Sequence, residues 1–203
     1  MSAITNINIL DGQWIALIAA IVVSWLVWDT YFNAEMDWVK SNVDDNTYRV
    51  RDLPDKQKAA DLLAEIRDRC QRLIGHLEKT NPEDERSLRL SSKFRSEMIS
   101  EGNNNQAYTS YSINKGERIV FCLRSRGKRT KDRPEDVNTL IFVAIHELAH
   151  IATDDVGHTQ AFWDNFKWLL QEAIQVGIYV KEDYRARPRE YCGVDITSSP
   201  IDI

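Results

Sequence analysis

The sequence has few cysteines and no excess of positive charge, and each shortage excludes a class of protein. Three cysteines in 203 residues, Cys70, Cys122 and Cys192, are far apart and form no CxxC pair, which predicts no disulfide framework and fits a reducing compartment. The net charge of -5 excludes a generally basic protein that coats nucleic acid. With 43% hydrophobic and 28% charged residues, the chain is expected to fold around a sizeable core.

The N-terminal stretch departs from this average composition. Residues 12–28 read GQWIALIAAIVVSWLVW and contain no charged side chain. As a helix they span roughly 26 Å, slightly less than the ~30 Å hydrocarbon core of a bilayer. Trp14 and Trp28 lie at opposite ends, as at two membrane interfaces, and the absence of Lys and Arg from residues 1–13 excludes a cleaved signal peptide. The sequence predicts a transmembrane anchor over 12–32, with a buried core helix as the alternative.

Basic residues are also unevenly placed around this stretch. Lys40, Arg49 and Arg51 follow it and none precedes it, which favours a single-pass membrane protein with a cytoplasmic C-terminal domain. Further along, a basic run at 124–133 holds Arg124, Arg126, Lys128, Arg129, Lys131 and Arg133. It could bind an anionic surface, either lipid or nucleic acid, and the alternative is a solvated charged loop.

The most specific motif is HELAH at 146–150. The chain is apolar almost all round from Val137 to Ile151, which predicts a helix inside the core. Histidines four residues apart on a helix point the same way, so His146 and His150 are placed to bind one Zn²⁺ ion. Glu147 then lies where it can deprotonate a water beside the metal. The alternative is a core helix with hydrogen-bonded polar residues.

A catalytic zinc site needs a third protein ligand and an open fourth position. His158 is the favoured candidate, because imidazole suits zinc and the preceding Gly157 can turn the chain back beneath the metal. Asp154, Asp155 and Glu172 remain open as alternatives.

The stretch HELAHIATDDVGHTQAFW at 146–163 resembles the metal-binding stretch of WLM-domain and SprT-like zinc metallopeptidases. The resemblance implies that His146, His150 and His158 bind zinc, that Glu147 is the general base, and that Phe162 packs the next helix. Tyr-Cys-Gly at 191–193 is similar to a short C-terminal motif of WLM domains.

The same resemblance implies an α+β, zincin-like fold in which a small antiparallel sheet packs on the buried HExxH helix. The strand Arg118–Leu123 would be the edge strand that holds an extended peptide substrate. Together with the anchor, the expected organisation is a tail at 1–11, the transmembrane helix at 12–32, a juxtamembrane connector at 33–54, the metallopeptidase domain at 55–195 and a tail at 196–203.

The sequence therefore predicts a membrane-anchored, zinc-dependent metallopeptidase that cleaves peptide bonds with a zinc-activated water and a glutamate general base. Tyr184, Tyr191 or an arginine from 185–189 could stabilise the oxyanion. One alternative is a non-catalytic membrane adaptor whose fold zinc stabilises. The other is a nucleic-acid-associated protease of the DNA–protein crosslink repair type, which the basic run suggests.

Overall fold

The chain divides into two compact units, Met1–Met36 and Asp37–Ile203. The structure, a computed structural model, describes residues 7–33, 35–103, 109–126 and 132–202, and it describes side chains of the first range from 12 to 28. The predicted limits of the metallopeptidase domain, 55–195, stay a prediction.

The described part of the first unit forms helix α1 (Ile7–Asn33). Within the described part of the chain, no helix combines the length and the apolar character that crossing a bilayer requires. The predicted transmembrane helix at 12–32 is therefore wrong, and so is the single-pass membrane localisation with a cytoplasmic C-terminal domain. The physical reason is length, since the charge-free run at 12–28 covers roughly 26 Å of a ~30 Å hydrocarbon core.

The remaining elements mix helices and strands. The helices are α2 (Lys56–Thr80), α3 (Glu85–Lys93), α4 (Val137–Ala152) and α5 (Gln160–Gln175), with a 3-10 turn at Ser96–Met98. The strands are β1 (Met36–Lys40), β2 (Thr47–Arg51), β3 (Ile99–Glu101), β4 (Ser110–Ile113), β5 (Arg118–Phe121), β6 (Arg189–Tyr191) and β7 (Val194–Ile196).

The central sheet has three strands in the order β3-β5-β4, and β1-β2 and β6-β7 form two-stranded sheets. In the central sheet β4 pairs antiparallel with β5, whereas β3 pairs parallel with it. The sheet is therefore mixed and the prediction of an antiparallel sheet is wrong, because β4 lies between β3 and β5 in the chain and runs opposite to β5, so β3 lies parallel to β5. The prediction that Arg118–Leu123 is an edge strand is wrong as well, because β5 lies in the middle of the sheet and β4 lies at its edge.

Helix α4 lies inside the core, as its all-round apolar sequence predicts. It packs against α2, α3, α5 and β4, and Leu140, Ile145 and Leu148 are almost fully buried. Its N-terminus is capped by Asp136, whose carboxylate accepts a hydrogen bond from the backbone N–H of Thr139 at 3.0 Å. Because α4 is packed on several sides, the direction in which the HELAH motif faces is fixed.

A disulfide joins Cys122, just after β5, to Cys192, in the turn between β6 and β7. The prediction that the cysteines form no disulfide is therefore wrong, and the argument for a reducing compartment is lost with it. The two residues are separated by 70 positions in sequence, and only the folded chain brings their Cα atoms to 6.3 Å. Cys70 is free and buried in the core.

Replacing both bridged cysteines, as in C122S/C192S, is expected to lower the free energy of unfolding by about 2–4 kcal/mol, because the bridge restricts the unfolded chain. Urea unfolding of the metal-free protein measures the change. A reductant should shift wild type towards the variant and leave the variant unaffected. Equal unfolding free energies for the variant and oxidised wild type would contradict this expectation.

Candidate metal centre

Three histidines come together at the C-terminal half of α4. Ring nitrogens of His146, His150 and His158 lie within 4.8 Å of one another, and the Nε2 atoms of His146 and His158 are 3.2 Å apart. A tetrahedral zinc ion with Zn–N bonds of ~2.0–2.1 Å separates its nitrogen ligands by about 3.3 Å. The three side chains therefore suit one zinc ion in donor type, and the His146–His158 separation matches the spacing of two zinc ligands.

The local sequence explains how the third histidine reaches the other two. Helix α4 ends at Ala152, and Gly157 then adopts a positive φ of 88°, which turns the chain back towards the helix. Thr159 caps the start of α5, with its hydroxyl accepting a hydrogen bond from the backbone N–H of Phe162 at 3.4 Å. His158 is thus held between a glycine turn and a capped helix start.

Phe162 packs against all three imidazoles. Its ring centroid lies 4.9 Å from that of His146, 4.4 Å from His150 and 4.6 Å from His158, and the side chain is fully buried. This aromatic contact limits the rotation of the histidine rings on the side away from solvent.

The environment keeps the two helical histidines neutral. Burial, with smaller contributions from the neighbouring imidazoles of His150 and His158, lowers the pKa of His146 to about 3. Burial likewise lowers the pKa of His150 to about 4, with smaller contributions from His158 and Lys115. Both rings are therefore deprotonated at pH 7, which is the form that binds a metal ion.

Glu147 lies beside this cluster and is only 4% exposed. Burial raises the pKa of its carboxyl to about 7, and a hydrogen bond from the backbone N–H of Ser112 on β4 opposes part of that rise. A carboxyl group with a pKa near neutrality suits a general base, since it can both accept and return a proton at pH 7.

A cleft of about 580 Å³ opens onto these groups. Its lining comes from α4 around His146, the edge strand β4, the loop at 155–158, and the β6–β7 hairpin. Tyr191 lies in the hairpin, where its hydroxyl donates to the Cys122 carbonyl at 2.9 Å and lies 2.6 Å from Ser110 Oγ on β4. The hairpin and the edge strand are thus linked at the cleft.

The carboxylates considered as alternative third ligands have other partners. Glu172 Oε2 lies 3.0 Å from His76 Nε2 on α2. Asp154 pairs with Arg89 at 2.6 Å, and Asp155 accepts a hydrogen bond from the Thr159 hydroxyl at 3.2 Å. Among the described residues, the ligand cluster around α4 contains His158 and none of these three carboxylates.

The candidate oxyanion stabilisers and the basic run predicted from the sequence differ in where they lie relative to the cleft. Tyr184 is buried against Phe142 and does not line the cleft, whereas Tyr191 does. Arg124 is also buried, with Nε 2.8 Å from Glu101 Oε1 and Nη1 bonded to Asp55, so it is not part of an exposed basic surface. Three members of the basic run, Lys128, Arg129 and Lys131, lie outside the described residues.

Comparison with known proteins gives a match over almost the whole chain. The uncharacterized protein R325 of Acanthamoeba polyphaga mimivirus is 34% identical over 186 residues, which cover 90% of this chain and 93% of that protein. The chain belongs to the R325 family.

Shorter matches connect this R325-family chain to two iridescent virus proteins. The uncharacterized protein 136R of Invertebrate iridescent virus 6 is 39% identical over 83 residues, covering 41% of this chain and 44% of that protein. The uncharacterized protein 042R of Invertebrate iridescent virus 3 is 40% identical over 86 residues, covering 42% and 50%.

No family model matches the chain. Among solved structures, the crystal structure of a Wss1 mutant from Saccharomyces cerevisiae is similar to this R325-family chain with a TM-score of 0.45 and 19% identity, over 64% of this chain and 91% of that one. Membership of the WLM-domain or SprT-like metallopeptidases stays a prediction.

Substitution of the third histidine tests the metal centre. We expect H158A to weaken zinc binding by more than about 100-fold, since loss of an outer-shell partner alone costs 10–100-fold. Competition with a chromophoric chelator measures the affinity. E172Q is the matched control and should bind zinc as wild type does. Unchanged zinc stoichiometry and affinity in H158A would argue against the three-histidine site.

Proposed function

We propose that this protein is a zinc-dependent metallopeptidase that hydrolyses peptide bonds with Glu147 as the general base. The observation that carries the proposal is the position of Glu147. It is buried beside three convergent histidines, lines the same cleft as they do, and contacts the backbone of an edge strand.

The three histidines would hold the zinc ion. When bound there, zinc polarises the scissile carbonyl and lowers the pKa of water in the cleft towards ~7. His146 and His150 supply neutral imidazoles from one helix face, and His158 completes the set from the loop beyond it.

Glu147 would move the protons of the reaction. Its carboxylate accepts a proton from the attacking water as the oxygen bonds to the scissile carbon. The same carboxyl group then returns that proton to the nitrogen of the leaving amine as the C–N bond breaks. A pKa of about 7 allows both transfers without a large energetic penalty at neutral pH.

The edge strand β4 would hold the substrate. It pairs with β5 along one edge, and the cleft opens along β4. An extended peptide can add to an open strand edge through backbone hydrogen bonds, which bind it with little dependence on side chains. The backbone N–H of Ser112 contacts Glu147, so a peptide aligned along β4 would pass close to the general base.

The ligand count favours catalysis over the non-catalytic alternative. Structural zinc sites are closed by four protein ligands, whereas catalytic sites use three and leave one position open. In the ranges of the chain that the structure describes, three histidines form the cluster. The nucleic-acid-associated alternative draws on the basic run, whose first member Arg124 is buried in ion pairs.

The decisive variant is E147Q, which removes the base and keeps the shape of the side chain. We expect cleavage of casein or a quenched peptide library to fall by about 10²–10⁴-fold, as for loss of a general base. Zinc content should stay at the wild-type level.

Two controls accompany this measurement. A chelator should abolish wild-type activity and added zinc should restore it, and E172Q should remain active. Undiminished cleavage by E147Q would refute the proposed mechanism, and zinc-bound wild type without peptidase activity would favour the non-catalytic alternative.

A further inference from the structure

Lys115 lies in the turn between β4 and β5 and bonds to the segment that leads to His158. Its Nζ donates to the backbone carbonyls of Thr153 at 3.0 Å, Asp154, and Asp155 at 3.4 Å. One ammonium group thus bridges three consecutive carbonyls from a different part of the chain. The mechanism proposed above makes no use of this contact.

The position of these carbonyls explains why they attract a cation. They come directly after α4 and lie next to its final carbonyls, which lack intrahelical partners and carry the negative end of the helix dipole. Arg89 of α3 adds a second cation there, with Nη1 3.1 Å from the Ala152 carbonyl and Nη2 2.6 Å from the Asp154 carboxylate. Two basic side chains therefore hold the chain where it leaves α4.

The turn that carries Lys115 is itself firmly placed. Gly116 has a φ of 108° and lies so close to its surroundings that a Cβ atom there would be 2.8 Å from the Lys93 carbonyl oxygen and 2.9 Å from Ile151 Cδ1. The Gly116 carbonyl also accepts a hydrogen bond from the backbone N–H of Arg95 at 3.1 Å. The backbone that carries Lys115 is therefore held in place, and its side chain extends from there to the loop.

The loop has little packing of its own beyond these contacts. Val156 is 89% exposed, and no heavy atom lies within 4 Å of where a Cβ atom of Gly157 would be. Thr153 is anchored at the start of the loop, where its hydroxyl donates to the Ala149 carbonyl, and α5 begins after its end. Between these points, polar contacts to the backbone rather than a hydrophobic core determine the path to His158.

We propose that Lys115 is a positioning residue for the metal centre: it fixes the carbonyls of 153–155 and thereby holds His158 where it can complete the zinc site. The inference rests on the zinc site of the proposed function. It also connects two parts of the cleft, because the lysine extends from the hairpin that contains the edge strand β4.

Lys115 also lines the cleft, so the alternative is that it takes part directly in the reaction. An ammonium group has three N–H donors, and here three carbonyls accept from it. It therefore has no donor to spare for a substrate carbonyl or an oxyanion. Removing Lys115 should weaken zinc binding, and saturating zinc should restore the rate.

The test compares K115M, which keeps the aliphatic stem and removes the donors, with K115R, which keeps charge and donors. We expect K115M to bind zinc about 10–100-fold more weakly than wild type, and K115R to recover most of that loss. K181M is the matched control, because Lys181 Nζ also bonds a backbone carbonyl, that of Ile201 at 2.8 Å, away from the histidines. Its zinc affinity should equal that of wild type.

Two further readouts separate positioning from general stability and from catalysis. Unfolding of the metal-free proteins measures the stability that K115M and K181M each lose, and both variants should remain folded under the conditions of the zinc titration, where only K115M should bind zinc more weakly. Peptidase activity of K115M should return to within a few-fold of wild type at saturating zinc. Wild-type zinc affinity in K115M, or activity that stays low when zinc is saturating, would overturn the role of Lys115.

The H158A variant distinguishes failure of this inference from failure of the zinc site. If H158A loses zinc affinity and K115M does not, the site stands and the role of Lys115 is wrong. If both variants bind zinc as wild type does, the three-histidine site itself is wrong.

Discussion

The enclosure of α4 is the constraint from which the chemistry of this protein follows. A helix that is apolar on almost every side is stable only inside a core, yet this one carries His146, Glu147 and His150. Burial disfavours the charged form of each group, lowering the pKa values of the histidines and raising that of the glutamate. The same desolvation therefore prepares neutral metal ligands and a carboxyl group that titrates near neutrality.

Local sequence patterns predicted the three histidines that the structure brings together, and zinc binding by them stays a prediction. The spacing of His146 and His150 needs only the helical repeat, and the turn before His158 needs only Gly157. The length of an apolar run was a weaker guide: 17 uncharged residues at 12–28 come close to the span of a bilayer without reaching it. A borderline length cannot by itself separate one kind of helix from another.

The features missed from the sequence depend on contacts between distant parts of the chain. The parallel pairing of Ile99 with Ile119 places β5 in the middle of the sheet, and no local pattern encodes that pairing. Cys122 and Cys192 meet only because the C-terminal hairpin returns to the end of β5, and cysteine spacing does not give connectivity. His76 and Glu172 likewise pair across α2 and α5, which removes Glu172 from the ligand candidates.

The disulfide encloses the candidate centre in a covalent ring. All three histidines and Glu147 lie between Cys122 and Cys192 in the chain. A single peptide-bond cut anywhere in that interval would leave both fragments joined through the bridge. The cleft could then keep its two sides, the edge strand and the C-terminal hairpin, attached to one molecule even after the backbone between them had been severed.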